Sequence, residues 1–220
     1  MNEVIYEAII CVEFLSVIIA SVYFFKNRKS KLKYFLYFLW YSFLNELVGK
    51  YLADYSQLDN TIMYNVYLII YFLFIFYLYW DNLERKLFKN VISILTIIYS
   101  LVYIVNFFVL KNFTTKLQVY PFMIGSCFLI ITVILYFIEV LNSEKIVLMT
   151  KELLFWISLG LLLFNIGIIP WLIMLSYFPI VFVDNLTILK SLFNCLVIIL
   201  YICYIIGFIC GHKTQKQQLS

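Results

Sequence analysis

The chain has 220 residues, of which 65% are hydrophobic and 13% charged, with a mean hydropathy of +0.99 and a formal net charge of +4. Soluble domains carry about 25% charged residues, so this composition excludes an ordinary water-soluble fold and points to lipid as the solvent. The small positive excess is spread over short loops, and no nucleic-acid partner is expected.

Crossing about 30 Å of hydrocarbon takes about 20 predominantly apolar residues at helical rise. In chain order, the sequence predicts spans at 4–25, 34–51, 61–80, 91–110, 119–141, 153–177 and 187–209. Runs such as 196–206 are continuously apolar and lack the period of two that a membrane strand shows. Backbone groups in lipid must bond within their own segment, so the spans are predicted to be helices. The expected fold class is all-α: a polytopic membrane protein built as a seven-transmembrane-helix bundle. It forms one domain over residues 1–210, followed by a short polar tail at 211–220, and it contains no internal repeat.

Loop charge predicts the orientation. Twelve of the 16 Lys and Arg residues fall on one side of the implied membrane: the cluster at 26–33, then Arg85, Lys86, Lys89, Lys145, Lys151, Lys213 and Lys216. Lys50, Lys111, Lys116 and Lys190 fall on the other side, and the N-terminus offers only Glu3 and Glu7. Cytoplasmic loops carry the excess of Lys and Arg, so the N-terminus is expected outside and the C-terminus in the cytoplasm. An odd number of spans is required, and seven is odd. The first run begins acidic and is followed by the positive cluster, which predicts a retained anchor rather than a cleaved signal. The expected setting is a cell membrane, of the bacterial inner-membrane kind, with bilayer lipid as the constant partner.

Polar groups inside spans carry the most information, because an ionised and unpaired one costs about 2.5–3.5 kcal/mol at the bilayer centre. They are Glu13, Asn45, Glu46, Asn65, Asn106, Asn165 and Asn194. Lys50 follows Glu46 by four residues, on the face where the two can pair, and Lys190 precedes Asn194 by four. In the predicted orientation most of this set falls in the outer half, with Glu13 and Asn165 nearer the middle. Glu139 lies close enough to the cytoplasmic edge to snorkel. The set predicts an outward-opening polar pocket, with Glu13, Asn45, Glu46, Lys50, Asn65, Asn106, Asn165, Lys190 and Asn194 as candidate ligand or pathway residues. The competing reading is structural: asparagines join helices at about 0.6 kcal/mol per hydrogen bond, and the two lysines extend to the interface.

Gly160, Gly167 and Pro170 make the sixth span a candidate hinge, with close packing as the alternative use of the same residues. Tyr64, Tyr67 and Tyr71 share one face of the third span and are expected to make helix contacts in preference to lining a cavity. Cys11, Cys127, Cys195, Cys203 and Cys210 have no metal-ligand spacing and are expected to pack as small apolar residues. Neither a metal nor a cofactor is expected.

Enzyme chemistry has poor support. The single histidine, His212, lies in the tail, and the sequence contains no H-E-x-x-H, no G-x-S-x-G and no Gly-rich phosphate loop. The topology resembles that of rhodopsins and G-protein-coupled receptors, but likeness at that level carries no function. A retinal pigment also needs a lysine deep in the last helix, and Lys190 is only a few residues into its span. The preferred reading is a small receptor or sensor that binds a ligand in the outer half and acts through a cytoplasmic or membrane protein partner. A transporter or oligomeric channel subunit, including a homo-oligomer, is the second reading. A membrane subunit without its own ligand is the third.

Overall fold

The computed structural model describes residues 2–25, 33–52, 60–110, 113–114, 116–177 and 186–219. Every element in it is a helix: α1 (Asn2–Phe25), α2 (Lys33–Tyr51), α3 (Thr61–Asn82), α4 (Lys86–Leu110), α5 (Val119–Leu141), α6 (Leu153–Tyr177) and α7 (Leu186–Leu219). A 3-10 helix, Glu144–Lys151, joins α5 to α6. Each predicted apolar run coincides with one helix. Pro121 sits in the first turn of α5, where an amide would have no intrahelical partner. Among the described residues, five helices, α3 to α7, are long and apolar enough to cross a bilayer, as in a multi-pass membrane protein. The helix α1 is on average as apolar as α3, although it carries Glu3, Glu7 and Glu13, and α2 is less apolar, with Asn45, Glu46 and Lys50 at close spacing.

Two boundaries differ from the sequence expectation. The helix α4 begins at Lys86, five residues before its predicted span, because Glu139 of α5 holds the turn that precedes it. One carboxylate oxygen of Glu139 accepts the Glu84 N–H at 2.7 Å and the other accepts the Arg85 N–H at 3.1 Å. A carboxylate there also meets the positive end of the α4 dipole. Glu139 therefore caps a turn, a use that snorkelling alone does not describe. The helix α7 runs on through the polar tail to Leu219. Extending a formed helix adds one bond per residue fixed, and Lys213, Gln215, Lys216 and Gln217 are good helix formers.

Consecutive helices pack side by side, α7 closes against α1, and α3 also packs on α5. The interior is aromatic. Phe38 stacks on Phe74 with ring centroids 4.4 Å apart, Phe35 meets Tyr204 edge-on at 5.0 Å, and Phe72 meets Tyr99 at 5.1 Å. Such pairs contribute about 0.5–1.5 kcal/mol each beyond the area they bury. The exterior is apolar as well. On α4, Ile94, Ile97, Leu101, Val105 and Phe108 form one exposed stripe, an aggregation hazard in water and an ordinary outer face in lipid.

The tightest contact is between α6 and α7, where glycines stand in place of side chains. A Cβ on Gly160 would lie 3.0 Å from the Cβ of Cys203, and one on Gly207 would lie 2.9 Å from the Cβ of Trp156. A Cβ on Gly167 would overlap Leu196. The helix α6 continues unbroken through Pro170, so Gly160 and Gly167 lie in a packed seam along a continuous helix. Basic side chains sit over aromatic rings at the end of the bundle where α2 and α4 begin. Lys33 covers Tyr34, Arg85 covers Phe88 and Lys89 covers Trp80, at 4.9–5.4 Å.

Candidate functional site

At the opposite end, where α1 and α3 begin and α2 finishes, a cavity of about 150 Å³ lies between α1, α2, α3 and α7. The first helix contributes Ile9 and Glu13, four residues apart and so on one face. Ser42, Asn45 and Glu46 come from α2, at the spacing that places three side chains on one stripe. From α3 come Tyr64 and Tyr67, and from α7 Phe193, Asn194, Val197 and Tyr201.

Glu13 is the deepest charged group of the set, with 3% of its surface exposed. The Tyr201 hydroxyl donates to its Oε1 at 2.6 Å. Glu46 is half-buried and receives a long contact, 3.5 Å, from the Tyr64 hydroxyl. The Tyr67 hydroxyl donates to Ser42 Oγ at 3.1 Å. Asn45 donates to the Tyr41 carbonyl of its own helix at 3.2 Å, which leaves its amide oxygen uncommitted by that bond. Asn194 is 5% exposed and borders the cavity. Glu13 and Glu46 are close enough to interact electrostatically.

Asn65 and Asn106 belong to a second polar cluster, away from this cavity. Asn65 is fully buried, and its amide nitrogen donates to the carbonyls of Phe113 at 2.7 Å and Lys116 at 3.0 Å. Its amide oxygen accepts the Gln118 N–H at 3.0 Å. All three bonds reach the connection between α4 and α5, which Asn65 therefore fastens to α3. Asn106 donates to the Gln118 side chain, and Tyr103 donates to the Asn65 carbonyl at 2.7 Å, so α4 joins the same cluster.

Asn165 sits in neither place. It is fully buried in α6, donates to the Leu161 carbonyl at 2.8 Å, and faces the Tyr71 hydroxyl of α3 within the aromatic interior. Neither Asn165 Oδ1 nor Tyr71 Oη has a hydrogen-bond partner in standard geometry among the described residues. Further along the same interior, the Tyr79 hydroxyl meets Ser158 Oγ at 2.7 Å. Ser158 donates its own proton to the Leu154 carbonyl, also at 2.7 Å, so Tyr79 is the donor between them. Lys50 is half-buried one turn beyond Glu46 and does not border the cavity. The backbone of Lys190 belongs to α7, while its side chain lies outside the described residues.

Of the sequence candidates, Glu13, Asn45, Glu46 and Asn194 thus come together, and Asn65 and Asn106 come together elsewhere. Tyr64 and Tyr67 border the cavity, the less favoured of the two uses expected of them. Tyr71 packs in the interior against Phe38 and Phe72. Helical periodicity fixes which residues share a face but not which neighbour that face meets.

No protein family, curated protein or solved structure matches the chain. Function has to be read from the cavity. It offers two carboxyls, two amides, several tyrosine hydroxyls and an apolar side formed by Ile9, Phe193 and Val197. No group of three or more metal-ligating side chains occurs among the described residues. A concave, largely apolar site with a few convergent polar groups is the usual form of a small-molecule site.

Proposed function

We propose that the chain is a seven-span membrane protein, with its N-terminus outside and its C-terminus cytoplasmic, that works as a small receptor or sensor. A ligand occupies the cavity from the outer side, and the bundle conveys occupancy to a partner protein. The observation that carries this reading is the cavity itself, where buried polar groups from four helices converge.

Three further points support it. Arg85, Lys86, Lys89 and Lys151, in or beside the connections, fall at the end of the bundle remote from the cavity, while Lys116 lies at the cavity end, and the positive-inside rule assigns the richer end to the cytoplasm. Glu13 and Glu46 border the cavity, so α1 and α2 can cross lipid without presenting these carboxyls to it. Deeper along α3, the interior is closed by Phe72, Ile75 and Phe76, all fully buried. That packing favours a sensor over a conduit through a single chain. The connections between helices are too short for an effector domain.

The test is reconstitution into liposomes with small molecules of cavity size. A sensor shows saturable, ligand-dependent thermal stabilisation without accumulation of that molecule inside the vesicles. Asn194→Leu, which fills the cavity, removes the stabilisation. Uptake of the stabilising molecule would overturn the sensor reading in favour of transport.

A further inference from the structure

We propose that Tyr71 and Asn165 form a two-state contact at the centre of the bundle, a bond between α3 and α6 that is open in the structure and closed in a second, less populated arrangement. The proposal stands on the interior and is independent of what the cavity binds. Among the described residues α3 and α6 do not pack side by side, so long side chains join them across the centre. Tyr79 makes one such link, bonding Ser158 at 2.7 Å. Two helical turns away on each helix, Tyr71 faces Asn165. Here the bond is not made. Tyr71 Oη and Asn165 Oδ1 are both buried without a hydrogen-bond partner among the described residues.

Buried polar atoms in native proteins are almost always satisfied, and these two suit each other, the hydroxyl as donor and the amide oxygen as acceptor. Small movements bring them together. Asn165 now donates to the Leu161 carbonyl at 2.8 Å, but within a helix that carbonyl already accepts the Asn165 backbone N–H. Releasing the side-chain bond therefore orphans no carbonyl, and the amide can turn its oxygen to Tyr71. What holds the contact open is packing. The Tyr71 ring lies edge-on to Phe72 at 4.9 Å, and against Phe38 at 6.0 Å and Tyr67 at 6.1 Å. Shifting a ring in a packed core and leaving a buried donor unpaired carry penalties of similar size, so neither state excludes the other. The contact also reaches the cavity. Tyr67, whose ring meets Tyr71, borders it and bonds Ser42 of α2. A displacement of α3 at the cavity is thereby passed to α6, which does not lie beside it.

The experiment uses the full-length protein in lipid nanodiscs with isotopically labelled asparagine. It reads relaxation dispersion of the side-chain amides, which reports exchange in the microsecond-to-millisecond range. The Asn165 amide is expected to show exchange that Tyr71→Phe abolishes, while the Asn65 amide, fixed by three bonds, shows none. The melting temperature of Tyr71→Phe is expected to equal or exceed that of the unaltered chain, because the hydroxyl makes no bond in the major state. A flat Asn165 profile, or exchange that survives Tyr71→Phe, overturns the proposal. So does a lower melting temperature or a failure to fold in Tyr71→Phe, since either means that the hydroxyl is already bonded in the resting state.

Discussion

Asn65 shows how a polar residue in a lipid-facing chain stabilises without touching a ligand. It makes three hydrogen bonds to the backbone between α4 and α5, and each net bond is worth about 0.6–1 kcal/mol. Asn65→Leu is expected to cost about 2 kcal/mol of stability, read by thermal or denaturant unfolding in detergent, and to leave ligand-dependent stabilisation at the cavity intact. A loss of cavity binding with full stability would contradict this division. The expense of placing amides and carboxyls in spans made Glu13, Asn45, Glu46, Asn65 and Asn194 legible in the sequence alone. The sorting of that set into a cavity and a loop clamp was not legible, because it depends on which helices become neighbours. Tyr201 gave no signal, being one of 19 tyrosines whose hydroxyls cost little near a membrane interface. Gln118, in a connection, gave none either.

At the scale of elements, the helices follow directly from uninterrupted apolar runs, and their ends follow from tertiary partners that local sequence does not contain. Glu139 is the clearest case. Removing its charge with Glu139→Gln leaves only one acceptor for two amides and is expected to cost about 1 kcal/mol. Hydrogen exchange at the amides of residues 84–86 should accelerate, and unchanged protection there would contradict the capping role. The α6–α7 seam gives a graded prediction. An added methyl on Gly207 meets the Trp156 Cβ and the Leu153 carbonyl, neither of which can move without the backbone. On Gly167 it meets the flexible end of Leu196. Gly207→Ala is therefore expected to destabilise by about 1–3 kcal/mol and Gly167→Ala by clearly less. The reverse order would mean that Gly167 is needed for motion at Pro170 and not for packing. Gly160 and Gly167 were recognisable in the sequence as small residues, but Gly207, which faces Leu153 and Trp156 across the same seam, became meaningful only once α7 was placed.

For the whole molecule, two asymmetries run along the same axis: positive charge gathers at one end, and the cavity with its carboxyls lies at the other. Loop charge predicts which end faces the cytoplasm, and the cavity gives the opposite end something to do. Both depend on the chain crossing the membrane seven times, with α1 and α2 included despite their charged groups. Substituted-cysteine accessibility on intact cells tests this most directly. In a background where all five cysteines are replaced, Asn45→Cys places a thiol on the cavity wall, and Ser143→Cys places one at the other end of the bundle. A membrane-impermeant methanethiosulfonate is expected to modify the first without permeabilisation and the second only after it. Protection of Ser143→Cys together with protection of Asn45→Cys in intact cells, or modification of Ser143→Cys alone, would contradict an outward-facing cavity.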